Sequence, residues 1–463
     1  MTSLTDVSDW IGETLPTLLE QYDVPAAAVG VLADGEVVDH AVGVLSRSTG
    51  VEATTEAVFQ IGSITKLWTS SLVLQLVDEG KVDLDATVRT YLPEFRIADE
   101  SAASQITVRQ LLTHASGFEG DIFTETGVGD DCVEKYLAVL HDVPQLFPPG
   151  SMWSYNNAGF CVLGRLVEVL REKTYDVALR EHLIEPLGIT HAATDPYQAI
   201  LFRAAVGHLE PEPGEGQHAA PVWALARSNA PAGSMFAMSA RSLLTFARMH
   251  LEDGRAYDGT QVLAPGTPTR MQAHQVALPD LGLFGSSWGL GFERFDQREG
   301  VVVGHDGNTI GQAAFLRLVP DAGVAVVVLT NGGEADRLFR DVAGRVLGEL
   351  AGRPLPPEPL PPAQPPALDV ERCLGRYTCD MATVIVSRQD DGTIWMDTIP
   401  EDDLSKELGE QPERFELVPY GEDSMVTRER RHGVHRVYAF LGHDGAGHAA
   451  YLHTGRALVR DKG

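Results

Sequence analysis

The 463-residue chain is strongly acidic, with 65 aspartates and glutamates against 36 lysines and arginines and a formal net charge of −29. Such a charge repels phosphate backbones and anionic headgroups, which argues against nucleic acid and membrane as main partners. With 44% hydrophobic and 22% charged residues the composition is close to the globular average, so it argues against disorder, collagen and coiled coil.

The predicted elements of the first 350 residues alternate between helices and short strands. Asp34-Gly35 is a strong hairpin signal between the first two strands. In chain order, periodicity predicts a helix over 8–22, strands over 26–35 and 36–45, a mostly helical stretch from about 63 to 250, strands over 301–307, 312–320 and 323–330, and a helix over 335–352. Hairpin-joined strands with helices packed on them indicate an α/β sandwich with antiparallel sheet rather than a doubly wound parallel sheet.

A proline-rich stretch, RPLPPEPLPPAQPPALD, separates this part from a short tail. Proline at this density favours an extended, semi-rigid spacer. We therefore predict a large domain over 1–352, a linker over 353–367 and a second domain over 368–463. The tail alternates apolar and polar residues, for example in ATVIVSR and TIWMDT around Asp390-Asp391-Gly392, which predicts a small all-β sandwich or barrel.

Nothing in the sequence marks the protein for export or for a membrane. The amino terminus, MTSLTDVSDWIGE, has neither a basic nor an apolar stretch, and the longest apolar run is far below the roughly 20 residues of a membrane helix. We therefore expect a cytoplasmic protein. The four cysteines are too few for a disulfide scaffold, and Cys373 and Cys379 form either a disulfide or, at least as readily, a reduced pair.

The segment QIGSITKLWTSSLVLQLVDEG (60–80) contains the first chemical signal. Ser63 and Lys66 are three residues apart where a helical pattern begins, so the lysine amine lies beside the serine hydroxyl on one helix face. A buried lysine loses its charge readily and can then take the proton of a serine nucleophile. Considered alone, the spacing is weak evidence, and a capping serine followed by a solvated lysine is the more common interpretation.

Two further segments support the catalytic interpretation. PPGSMWSYNNAGF (148–160) places Tyr155 and Asn157 in a loop before a helix expected to start near Cys161, and GHDGNTIGQ (304–312) places His305 and Gly307 on or beside a strand. In order, the segments FQIGSITK, LLTHASGF, PPGSMWSYNNAGFCVLGRLVE, PLGITH, NAPAGSMFAMSARSLLTFARMHL and GHDGNTIGQAAFLRLVP resemble the β-lactamase-like serine hydrolases, which include class C β-lactamases, DD-peptidases, D-aminopeptidases and esterases. The resemblance covers about residues 8–350.

This resemblance implies a β-lactamase-like α/β sandwich with a helical subdomain, and a role for each matched residue. Ser63 is the nucleophile and Lys66 its proton partner, Tyr155 is a general base, and Asn157 contacts Lys66 and the substrate amide. The backbone amides of Ser63 and Asn308 form the oxyanion hole. In the third motif, His305-Asp306-Gly307, His305 stands where many β-lactamases have lysine, which favours the esterase and D-aminopeptidase branches over β-lactam hydrolysis. The remaining substrate contacts are expected from Gly233, in NAPAGSMF, and Gly307.

The physical requirement on Tyr155 is severe. To act as a base near neutral pH its pKa must fall by some 3 units from about 10, which costs roughly 4 kcal/mol. A cationic Lys66, or a charged His305, would supply that energy, and a neutral His305 could still donate a hydrogen bond. The sequence leaves open whether Lys66 or Tyr155 accepts the first proton, since such groups titrate together.

Several other residues have two interpretations each. Trp68 and Trp153 flank the motifs and either line the pocket or pack in the core. Arg456, in the predicted last strand, either holds a substrate carbonyl or carboxylate or is solvated. The stretch 117–132 is either a lid or a solvated loop. The tail histidines, expected to be solvated, are His432, His435, His443, His448 and His453.

The acyl-serine chemistry needs no metal or cofactor and leaves three functions open. One is a cytoplasmic esterase or D-aminopeptidase-like hydrolase. The second, which we favour, resembles the penicillin-binding-protein-type thioesterases, which join such a domain to a lipocalin-like tail. These release nonribosomal peptides from a carrier protein, often with head-to-tail cyclisation at a D-residue. The third is a non-catalytic ligand sensor. Neither the substrate nor the oligomeric state follows from the sequence.

Overall fold

The central sheet begins with the hairpin predicted at Asp34-Gly35. The computed structural model describes residues 2–210, 216–402, 406, 411–431 and 433–461. Strands β1 (Ala26–Ala33) and β2 (Glu36–Ser46) pair antiparallel. Asp34 and Gly35 both have positive φ, 52° and 76°, as a type I′ turn requires. The hairpin prediction is confirmed.

The strands continue along the described residues into two small sheets, one large sheet and one barrel. The remaining strands are β3 (Val51–Glu52), β4 (Phe59–Gln60), β5 (Ala192–Ala193), β6 (His208–Leu209), β7 (His218–Ala219), β8 (Ala237–Met238), β9 (Val276–Ala277), β10 (Ser287–Trp288), β11 (Glu293–Gln297), β12 (Gly300–Thr309), β13 (Gln312–Val319), β14 (Val324–Thr330), β15 (Gly375–Thr378), β16 (Ala382–Arg388), β17 (Ile394–Pro400), β18 (Glu413–Pro419), β19 (Ser424–Thr427), β20 (Val437–Leu441), β21 (Tyr451–His453) and β22 (Ala457–Arg460). The large sheet has the order β3-β2-β1-β14-β13-β12-β11-β10-β9.

The helices cover both faces of the large sheet. They are α1 (Leu4–Gln21), α2 (Thr65–Asp78), α3 (Glu100–Ala103), α4 (Val108–Leu112), α5 (Cys132–Val139), α6 (Asn157–Arg171), α7 (Tyr175–Leu179), α8 (Pro196–Ala199), α9 (Ala240–Leu251), α10 (Thr267–Gln272), α11 (Ala335–Ala351) and α12 (Val370–Cys373). No helix of the described residues combines the length and the apolar character needed to cross a membrane.

Two hydrophobic cores lie on opposite faces of the large sheet, because successive strand residues point to opposite sides. On one face α1 and α11 pack against β1, β13 and β14, and Phe315 stacks on Phe339 with ring centroids 4.3 Å apart. On the other face α2, α6 and α9 form the helical part of the molecule. The predicted antiparallel α/β sandwich with a helical insertion is confirmed.

The tail forms a closed eight-stranded antiparallel barrel, β15 to β22 in sequence order. Its interior holds apolar side chains such as Tyr377, Met396 and Phe440. The predicted small all-β, lipocalin-like domain is thus confirmed. One detail of the prediction is wrong: Arg456 lies in the turn between β21 and β22, because the strand pairs end at His453 and Ala457.

The proline-rich segment lies against both parts of the molecule. The Pro356 carbonyl accepts a hydrogen bond from Arg340 of α11 (2.5 Å), and the Glu358 carboxylate accepts two from Arg430 of the barrel domain (2.8 and 3.0 Å). All four cysteines are free thiols, so Cys373 and Cys379 do not form the disulfide that their spacing left open.

Asn331, directly after β14, ties three segments of the sandwich together. Its side-chain oxygen accepts from Ala26 N (2.7 Å), and its nitrogen donates to the carbonyls of Val44, Leu45 and Val206 at 3.1–3.2 Å.

We expect Asn331→Ala to lower the free energy of unfolding by about 2–3 kcal/mol, because buried backbone groups lose their partners. Urea denaturation followed by tryptophan fluorescence measures it. Asp390→Ala, at an exposed turn, serves as the control. An Asn331→Ala midpoint equal to that of the control would contradict this role.

Candidate active site

Ser63 lies in a single 3₁₀ turn, Gly62–Ile64, that leads into α2. Lys66, in the first turn of α2, is completely buried. Its ammonium nitrogen donates to Ser63 Oγ at 3.0 Å and to the Ala232 carbonyl at 2.7 Å. The three-residue spacing therefore brings the amine to the hydroxyl on one helix face.

Three glycines let separate backbones meet at the Ser63 turn. A Cβ on Gly307 would lie 2.0 Å from the Ile61 carbonyl oxygen and 2.9 Å from Ser63 N. One on Gly233 would lie 2.2 Å from the Gly62 carbonyl, and one on Gly62 would lie 2.6 Å from Asn308 N. The amides of Ser63 and Asn308, predicted to form the oxyanion hole, are thus held on backbones in contact.

Tyr155 closes the third side of this arrangement. The Ser63 side chain is close enough to its hydroxyl to lower the pKa of Tyr155, and Lys66 Nζ lies 4.9 Å from its ring centroid. The helix after Tyr155 begins at Asn157 rather than near Cys161 as predicted. It begins earlier because the Asn156 side chain accepts from Gly159 N (2.6 Å) and caps the first turn.

Asn157 therefore occupies the first position of α6, and its hydrogen bond runs to a residue that the sequence did not single out. Its amide nitrogen donates to Asp121 Oδ1 at 2.5 Å. The hydrogen bonds of Lys66 in the described part of the chain run to Ser63 and Ala232, so the predicted contact between Asn157 and Lys66 is not among them.

Burial, above all, sets the protonation of the catalytic groups. Desolvation lowers the pKa of Lys66 from 10.5 to about 7, so a neutral amine is available near neutral pH. Desolvation raises the pKa of Tyr155 above its usual value, and the nearby Ser63 side chain offsets this only in part. The expected depression of the tyrosine pKa is therefore not found, because the phenol lies in a buried aromatic cluster.

His305, on β12, is buried as an uncharged imidazole. Desolvation, together with the smaller effect of nearby Lys66, lowers its pKa to about 3. Its Nδ1 lies 2.5 Å from the Asp306 carbonyl oxygen, which identifies Nδ1 as the protonated nitrogen. Of the two states considered for His305 in the sequence, burial favours the uncharged one.

Comparison with known proteins agrees with this geometry. The family model "Beta-lactamase" matches residues 12–349. The chain belongs to the Beta-lactamase family. Penicillin-binding protein 4 of Amycolatopsis lactamdurans is 42% identical over 367 residues, 79% of this chain and 96% of that protein. The crystal structure of SurE is 29% identical with TM-score 0.79, over 98% of this chain and 99% of SurE. That of SurE with D-Leu is 28% identical with TM-score 0.76 and the same coverage.

Membership of the Beta-lactamase family makes this protein an enzyme of the acyl-serine type. The sensor interpretation is thereby set aside. Among the residues that the structure describes, no group of three or more histidines, cysteines and carboxylates could hold a metal ion.

The two tryptophans next to the family motifs pack in the interior. Trp68 stacks on Phe246 with centroids 4.0 Å apart. Trp153, predicted to bind substrate, is 1% exposed in an aromatic cluster with Tyr155, Trp288 and Phe284. Both tryptophans therefore act through packing, and Trp153 supports Tyr155 from behind.

The barrel reaches the family motifs through the turn between β21 and β22. Gly455 O accepts from Tyr155 N at 3.0 Å, and the Arg456 guanidinium lies 4.7 Å from the Tyr155 ring centroid. Arg456 Nε donates to Asp121 Oδ2 at 2.8 Å, so the arginine is neither fully solvated nor on a strand. His453, expected to be solvated, is buried and donates to the Trp153 carbonyl (2.8 Å). His432 lies outside the described residues.

Two acidic residues near the site were missed in the sequence. The start of the stretch expected to be a lid or solvated loop, residues 117–121, is buried. Within it Asp121 bonds Asn157, and Glu119 accepts from Asp380 N of the barrel at 3.3 Å. Burial raises the pKa of Glu119 to about 7. The family segment LLTHASGF ends one residue before Glu119. It was the one signal in the sequence that pointed to this part of the chain.

The pH dependence of Ser63 reactivity tests the assignment of Lys66 as base. A fluorophosphonate should label Ser63 at a rate that rises with pH through about 7, because the neutral amine is the form that accepts the proton. Lys66→Met should slow labelling by about 10²–10⁴-fold. Intact-mass spectrometry measures it, with Ser63→Ala as the unlabelled control. A labelling rate that stays the same between pH 5 and pH 9 would contradict the assignment.

Proposed function

We propose that this enzyme releases a nonribosomal peptide from a carrier-protein thioester and cyclises it head to tail at a D-residue. The supporting observation is that the barrel turn lies against Tyr155, where Gly455 O accepts from Tyr155 N and the Arg456 guanidinium lies 4.7 Å from the ring centroid. The similarity to SurE extends over the barrel, and one SurE structure contains D-Leu. In this proposal the barrel turn limits water near Ser63 and orients the attacking amine, which favours aminolysis, since orientation contributes about 7–11 kcal/mol.

In the first half-reaction Ser63 Oγ attacks the thioester carbonyl carbon. Neutral Lys66 takes the hydroxyl proton, the amides of Ser63 and Asn308 stabilise the oxyanion, and the carbon–sulfur bond breaks. The proton then passes to the leaving thiolate. Tyr155 is protonated before and after each step in this scheme, because burial raises its pKa, and it relays a proton by releasing its own as it accepts another.

In the second half-reaction the peptide's own amine attacks the acyl-serine. The new carbon–nitrogen bond closes the ring, the carbon–oxygen bond to Ser63 breaks, and the amine proton returns to Ser63 Oγ through Lys66 and Tyr155. No cofactor takes part. The pairing of Arg456 with Asp121 uses Nε and Nη2. In this proposal the third guanidinium nitrogen, Nη1, binds a substrate carbonyl. The substrate is made in the cytoplasm, which is where we place the enzyme.

Hydrolysis of a D-aminoacyl ester or amide is the competing function. His305 in the third motif favours it, since the esterase and D-aminopeptidase branches resemble this sequence there. Both functions pass through the same acyl-serine and differ in whether water or an amine attacks it.

A matched pair of peptidyl thioesters, identical except for a D- or L-residue at the acyl position, separates these functions. We expect the D-peptide to form acyl-Ser63 at least about tenfold faster, because a shaped pocket commonly discriminates by that factor. Intact-mass analysis should then show a product lighter than the linear acid by one water. Linear acid alone from the D-peptide would contradict cyclisation, and equal rates for both peptides would contradict the D-preference. Ser63→Ala is the control without adduct.

Removal of the Tyr155 hydroxyl tests its part in proton relay. Tyr155→Phe keeps the ring in its aromatic cluster, so the fold should be retained. We expect acylation of Ser63 to slow by about 10²–10⁴-fold, the usual contribution of a positioned proton donor or acceptor. Stopped-time intact-mass analysis measures the rate. Full activity would remove this residue from the mechanism.

A further inference from the structure

Asp121 lies between a motif residue of the active site and the barrel. Its Oδ1 accepts from Asn157 Nδ2 at 2.5 Å, and its Oδ2 accepts from Arg456 Nε at 2.8 Å. Only 8% of Asp121 and 6% of Asn157 is exposed. One carboxylate therefore connects the first turn of α6 with the turn between β21 and β22.

The chemistry of the two side chains determines how the amide is oriented. An ionised carboxylate only accepts hydrogen bonds, whereas an asparagine amide has a donor end and an acceptor end. Facing Asp121, Asn157 must present its nitrogen, which turns its oxygen away and leaves its second N–H for a substrate carbonyl. Without the carboxylate, both orientations of the amide would be available.

We propose that Asp121 is a positioning residue: it holds the Asn157 amide in the one orientation that acylation uses, and Arg456 of the barrel holds Asp121 in place. The inference rests on the proposed acylation of Ser63. It does not depend on whether water or an amine later receives the acyl group. It also assigns the barrel a part in assembling the catalytic groups.

The same ion pair acts on Lys66 with opposite signs. Asp121 raises the pKa of Lys66 and Arg456 lowers it, both less strongly than desolvation does. A change in either residue therefore moves the acidic limb of the rate profile in a known direction. The charged and titratable groups around Lys66 are Asp121, Arg456, Tyr155, Cys161, His114 and His305.

The test is a double-mutant cycle on the rate of acyl-Ser63 formation from a peptidyl thioester, followed by intact mass. We expect Asp121→Asn to slow acylation by about 100-fold, because a misplaced catalytic group costs about that much. In an Asn157→Ala background the same substitution should cost less than about threefold, since the group that it positions is gone. Equal losses in both backgrounds would overturn the proposal.

Two further variants and the pH dependence of the rate sharpen the result. Asp130→Asn removes the same charge from an exposed position in the same loop and should leave the rate unchanged. Asp121→Asn should move the acidic limb to lower pH, and Arg456→Gln should move it to higher pH. If circular dichroism shows that Asp121→Asn does not fold, Asp121→Glu, which keeps the charge but displaces the carboxylate from Asn157, carries the same cycle with Asn157→Ala, and an undiminished loss there overturns the proposal. Acylation without a cyclic product contradicts the proposed cyclisation but not this inference.

Discussion

Close contact of three backbones around Ser63 is the constraint on which the active site depends. Gly62, Gly233 and Gly307 lie where a Cβ would come within 2.0–2.6 Å of a neighbouring backbone atom. Real side chains do not tolerate such distances, so glycine at these positions lets β12 and the segment before Gly233 lie directly against the 3₁₀ turn. The amides of Ser63 and Asn308, predicted to form the oxyanion hole, lie on these closely packed backbones, and preorganised donors of this kind typically contribute about 3–4 kcal/mol each.

Dehydration of this region follows from the same packing and from the barrel. Lys66 has no solvent exposure, and the aromatic cluster around Trp153 and Trp288 excludes water behind Tyr155. Burying Lys66 in its neutral form near pH 7 lowers the stability of the folded state. Because the unfolded lysine keeps its proton up to about pH 10.5, the unfolded state binds more protons between about pH 7 and 10.5, and this residue makes the fold more stable as pH rises through that window.

Local signals in the sequence were sufficient for most of the fold. Asp34-Gly35 predicts its turn because only residues that accept positive φ fit there, and the alternating tail predicts strands because one face is buried. The Ser63–Lys66 contact also follows from helix geometry alone. The start of α6 was misplaced because Asn156 caps the helix through its side chain. In the sequence Asn156 looks like any other loop asparagine.

The second layer of the site could not be predicted for a different reason. Asp121, Asn157 and Arg456 are separated by 36 and 335 residues along the chain, and only tertiary structure brings them together. One acidic residue among 65 carries no individual signal. His453 was likewise assigned to solvent, since strand alternation says which face a residue occupies but not what covers that face.

Pairing of β15 with β22 has a consequence for biosynthesis. The barrel closes through Tyr377 and Arg460, so the ring of strands stays open until the ribosome has passed residue 460. The sandwich that carries Ser63, by contrast, has all its strands and helices once residue 351 has emerged. Domains generally fold in order of synthesis. While residues 352–460 are being synthesised, Ser63 therefore already lies in a sandwich whose segments are all available, and the contacts of Gly455 and Arg456 with Tyr155 form only afterwards.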